Sequence, residues 1–137
     1  MKGAASYVQK FFTILILIIC ATASAEIKTF TGAGEHYMES ETETLAQAQD
    51  AAKLAAELDA MQQAQIVVIS YSEAHNSNLT QDEIITITAG VMNVTGVKYS
   101  LQDEAGVLLM RAEVTAEIDT DKIPALIERE LKNKGLK

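Results

Sequence analysis

After residue 25 the chain contains no cysteine and no tryptophan, a single proline (Pro124), and only four aromatic side chains, Phe30, Tyr37, Tyr71 and Tyr99. The missing thiols exclude disulfides, thiolate metal centres and cysteine nucleophiles from that part of the chain. Cavities that bind small molecules are usually lined by large aromatic side chains, which are scarce here. Basic residues are also few. Residues 26–137 hold 9 Lys+Arg against all 19 Asp+Glu, because Lys2 and Lys10 lie upstream. Nucleic acids and anionic lipid surfaces need basic patches, so this balance argues against both as partners.

The first 25 residues read as a signal peptide. Lys2 and Lys10 supply a basic start, Phe11 to Cys20 an apolar core, and Ala23-Ser24-Ala25 an A-x-A cleavage signal. The apolar run is about half the ~20 residues that a spanning helix needs. Cleavage after Ala25 removes 25 of the 137 residues and leaves one domain, 26–137, with no stable membrane anchor. The localisation expected is periplasmic or secreted. An uncleaved anchor and a lipid-modified Cys20 are the competing readings. Ile19 is too bulky for the small residue that a lipidation signal places before its cysteine.

The dominant stretch is Thr44 to Ala64, TLAQAQDAAKLAAELDAMQQA, a helix-forming run whose apolar residues are mostly alanine. Leu45, Ala48, Ala51, Ala52, Ala55 and Leu58 recur at helical steps and are expected to line its buried face. Upstream, Glu26 to Met38 reads as a strand with Phe30, Gly32 and Gly34 on one face. Glycine there permits close approach, so this face is expected to receive the alanine helix. Thr44 with Gln47, and Thr80 with Glu83, fit capping boxes.

Ile66 to Ser72 is apolar on both faces and reads as a second strand. A short helix is expected over Gln81 to Ala89, closed by Gly90. A strand follows over Val94 to Leu101 with Val97, Tyr99 and Leu101 inward, then a turn at Asp103 to Gly106. The last strand, Val107 to Ile118, alternates, with Leu108, Met110, Ala112, Val114, Ala116 and Ile118 inward. A terminal helix starting near Thr120 or Asp121 presents Ile123, Leu126, Ile127 and Leu131 and ends at Gly135. The expected fold is α+β: a long Ala-rich helix on a three- to four-stranded antiparallel sheet, in the order β-α-β-α-β-β-α after the signal peptide.

Chemistry is sparse. His36 and His75, with nearby carboxylates such as Glu35 and Glu73, could form a small metal or ligand site if the fold brings them together. Gly32-Ala33-Gly34 lacks the spacing and the lysine of a phosphate loop. Asp119-Thr120-Asp121 lacks the glycine and terminal glutamate of a calcium loop. No serine sits in a nucleophile-elbow context. The residues therefore name no catalytic group, no cofactor and no resident metal.

Taken in order, Thr31-Gly32-Ala33-Gly34, the spaced alanines of Ala46 to Ala64, Val67-Val68-Ile69-Ser70-Tyr71-Ser72 and Asn78-Leu79-Thr80-Gln81-Asp82-Glu83-Ile84 form a pattern. Ala89-Gly90-Val91 and Arg111-Ala112-Glu113-Val114-Thr115-Ala116 continue it. The pattern resembles the N-terminal domain of the flagellar assembly protein FlgT and a related family of small outer-membrane lipoproteins, over about Thr29 to Ile118. The resemblance implies an α+β domain in a bacterial envelope protein that acts through assembly and not catalysis. An envelope protein partner is expected, its identity is not given by the sequence, and homo-oligomerisation stays open. The competing class is a small periplasmic metal- or ligand-binding protein using His36, His75 and nearby carboxylates.

Overall fold

A computed structural model describes residues 26–135. The signal-peptide reading of residues 1–25 lies outside the described residues. The chain runs β1 (Ile27–Tyr37), α1 (Leu45–Ala74), α2 (Gln81–Val91), β2 (Met92–Glu104), β3 (Val107–Asp119), a 3-10 turn (Thr120–Lys122) and α3 (Ile123–Gly135). The strands form one antiparallel sheet in the order β1-β3-β2. The α+β class and the helix-on-sheet arrangement are as expected.

One expected strand is absent. Ile66 to Ser72 is the last third of α1, a single helix of 30 residues, so the order is β-α-α-β-β-α. The β-branched run favours a strand locally, but extending an existing helix needs no new nucleus. Nothing between Gln62 and Gln65 breaks it. The buried side chains also continue without interruption: Ala48, Ala52, Ala56, Ala60, Ala64, Val68 and Ser72. The first part of this stripe packs with Met110, Ala112 and Val114 of the sheet. Further along, Ala64 and Val68 enter a second cluster with Ile84, Ile87, Val91, Ile118, Ile123 and Ile127. There α1 is flanked by α2 and α3, and Val67, Ile69 and Tyr71 pack against that cluster. The bulky run is the surface that three packed helices require.

The buried face also differs from the expected one. Of the residues expected there, Leu45 and Leu58 are half exposed and Ala51 and Ala55 only partly buried, while the buried stripe keeps a strict four-residue step. Such a row is inclined about 26° to the helix axis. The glycines explain why only alanine serves. A Cβ on Gly32 would stand 2.1 Å from the Ala56 carbonyl oxygen, and one on Gly34 would stand 2.2 Å from that of Ala52. The proposed seat of the helix on Gly32 and Gly34 is therefore present.

Both capping boxes form. Thr44 Oγ1 accepts from Gln47 N, and Gln47 Oε1 accepts from Thr44 N. Thr80 and Glu83 do the same for α2. α1 stops at His75 through Asn76, whose φ of 51° is left-handed. Ser77 N donates to Ser72 O and Asn76 N to Glu73 O, a Schellman termination. Gly90 does not close α2 but lies inside it, beneath Leu126, and Met92 is the cap. The hairpin between β2 and β3 turns on Ala105 (φ 54°) and Gly106 (φ 86°), with Gly106 N donating to Asp103 Oδ1.

Leu108 is not inward-buried as expected. It lies one rung beyond Met110, past the first buried turn of α1, and is exposed; Leu109 is buried on the opposite face. Tyr99 and Leu101 do face the helix side, opposite Ala112 and Met110, but remain 40 % and 47 % exposed. α1 covers β1 and β3 and leaves most of β2 bare.

Candidate functional site

The two edges of the sheet are treated differently. Met38 N donates to Leu108 O and Thr120 N to Glu26 O, so even-numbered residues of β1 and β3 bond one another. By the alternation of antiparallel ladders, odd-numbered residues of β1 point their amides and carbonyls outward. α1 meets them there. Asp59 Oδ2 accepts from Ala33 N at 2.9 Å, and Gln63 Nε2 donates to Thr31 O at 2.8 Å. Asp59 and Gln63 are four residues apart and so share one side of the helix. They reach the strand because Gly32 and Gly34 let the helix come so near. The β1 edge is thus partly occupied by the protein's own side chains.

The same alternation assigns the opposite edge. Odd-numbered residues of β3 bond to β2 through Lys98, opposite Glu113, and Ser100, opposite Arg111. Val97, Tyr99 and Leu101 therefore turn their amides and carbonyls away from the sheet. Among the described residues, no side chain or backbone group hydrogen-bonds to those outward groups. Unpaired edge groups on a long strand are a template for another strand.

The sheet face away from α1 carries a chain of polar contacts. Arg111 Nε lies 2.7 Å from Glu35 Oε1, oriented as an ion pair and not as an aligned hydrogen bond. Its other end approaches Glu104, whose Oε2 accepts from Tyr37 OH at 3.0 Å. That accepted proton, with the nearby carboxylate charge, raises the Tyr37 phenol above its ordinary value. A shallow concavity of about 230 Å³ lies among Glu35, Lys98, Arg111 and Glu113. Its charges are of mixed sign and half exposed, so each pair contributes little.

The expected histidine site is not assembled. His36 Nε2 is 2.6 Å from Glu43 Oε1, next to the start of α1. His75 caps the far end, its Nδ1 2.8 Å from Tyr71 O and its ring stacked on Tyr71. Thirty helical residues separate those ends by about 45 Å. One ion cannot be held by both. Glu35 pairs with Arg111, and Glu73 is exposed near the far end of α1. Among the described residues no three His, Cys, Asp or Glu side chains converge as metal ligands. Among them also, no helix is long and apolar enough to cross a membrane.

The contacts of Asp59 and Gln63 with the β1 edge are what sequence reasoning missed. Their signal was a polar i, i+4 pair within an alanine run facing a Gly-x-Gly strand. In comparison with known proteins, no family model and no curated protein matches this chain.

Proposed function

We propose that the protein is an exported, non-enzymatic interaction and assembly domain of the bacterial cell envelope. The observation that carries this reading is the asymmetry of the sheet. One edge is partly occupied by Asp59 and Gln63, and the other is open along β2 with Val97, Tyr99 and Leu101 beside it. A strand edge of this kind takes a partner by main-chain hydrogen bonds, with alternate side chains supplying specificity. The basic-apolar-small order of residues 1–25 supports export, and the resemblance to the FlgT N-terminal domain and its lipoprotein relatives supports an assembly role.

The test is a photo-crosslinking side chain placed at Leu101 in the producing cell, with envelope fractions examined for adducts. Formation of a specific adduct is the expected outcome. Recovery of the uncoupled protein at every stage of growth would refute an assembly role.

A further inference from the structure

We infer that the β2 edge pairs with the β2 edge of a second copy of this chain, antiparallel about a two-fold axis through Tyr99, to give a continuous six-stranded sheet. This deepens the interaction-domain reading and rests on it. With that axis, Val97 lies opposite Leu101 of the other copy, Tyr99 opposite Tyr99, and Lys98 opposite Ser100. Val97, Tyr99 and Leu101 are the residues whose backbone groups point outward, so the facing residues exchange hydrogen bonds.

Charge marks out the surface, and apolar pairing the register. The chain is acidic overall, with a formal net charge of −8, and two copies repel over most of their surface. From Ile84 to Gln102 there is no acidic residue, and Lys98 is the only charge. Moving the axis to Lys98 sets that lysine against itself. Moving it to Ser100 sets Val97 against Asp103. Of these three axes, the Tyr99 axis alone pairs Val97, Tyr99 and Leu101 entirely among themselves, and it leaves the lysine facing a neutral hydroxyl.

The axis stands perpendicular to the sheet, so both copies of α1 lie on the same side. Between them the half-exposed Tyr99 and Leu101 of each copy form one apolar strip. The β1 edge is the less available of the two, because Asp59 and Gln63 already engage Ala33 N and Thr31 O at its middle.

Sedimentation velocity of the protein purified from its producing cells, over a concentration series, tests the proposal with three variants. Ser100→Lys places like charges opposite each other twice and should raise the dimer dissociation constant about tenfold. Ser100→Glu places opposite charges there and should lower it. Tyr99→Pro removes an outward amide that the monomer does not use, and should leave a folded monomer by circular dichroism. A monomer at all concentrations up to about 1 mM overturns the proposal. So does a dimer indifferent to the sign of the charge at position 100. A monomer that still yields a heterologous adduct at Leu101 overturns the self-pairing and leaves the assembly reading standing.

Discussion

Gly32 and Gly34 are defined by what cannot be added to them. Each alanine variant would drive a methyl into helix backbone at just over 2 Å, with no flexible side chain to give way. Gly32→Ala and Gly34→Ala should each cost about 3 kcal/mol, read as a lowered urea midpoint. Gly90→Ala should have the opposite sign. Its new methyl meets only Leu126 Cδ1, at 3.3 Å, while a mid-helix glycine costs about 1 kcal/mol relative to alanine. Ala105 holds a left-handed φ that asparagine tolerates better, so Ala105→Asn should stabilise the hairpin by about 0.5–1 kcal/mol in the same assay. Glu83 shows linkage. Its carboxylate accepts from Lys134 Nζ at 2.9 Å and from Thr80 N at 2.8 Å, and both hold its pKa below the ordinary value. A depressed carboxylate favours the folded state when ionised. The contribution is complete above about pH 5 and fades as pH falls through the folded-state value. The stability difference between the protein and Glu83→Gln should follow that profile and vanish in acid.

At the scale of elements, α1 joins two kinds of surface. Over the sheet it is a row of methyl groups, and beyond the sheet it is a girdle of Val67, Val68 and Ile69. The close seat also lets α1 cover a strand edge. Asp59→Ala combined with Gln63→Ala should lose about 1–2 kcal/mol from two hydrogen bonds. Light scattering at high concentration should then detect association through the uncovered β1 edge. Much of this architecture was legible in the chain: the Gly-x-Gly strand, the alanine row, both capping boxes and the alternation of β3. What was not legible depended on context. Ile66 to Ser72 has the composition of a buried strand, and only the continuing four-residue row, ending at Ser72, identifies it as helix. Leu108, Tyr99 and Leu101 have the alternation of buried residues, yet their exposure depends on where a helix thirty residues long happens to lie. The histidines could be found in the sequence, but their separation follows from the length of α1, which the misread strand concealed.

Across the whole molecule, α1 is common to both clusters of buried side chains, so neither should melt alone. Val68→Ala in one cluster and Val114→Ala in the other should each remove about 1–3 kcal/mol. Hydrogen exchange should show the slowest amides of both clusters losing protection together in either variant, the mark of a single cooperative unit. Separate losses would show the helix bending independently at its middle. The strict four-residue step of α1 has one more consequence. It works as a ruler, indexed to the two notches of β1. Exposed positions such as Leu54, Leu58 and Ile66 are free to drift in composition. Deleting even one residue between Ala52 and Ala64 would rotate everything downstream by about 100° and present a side chain of the wrong size to the notches. Along this stretch the protein should tolerate changes of spelling far better than changes of length.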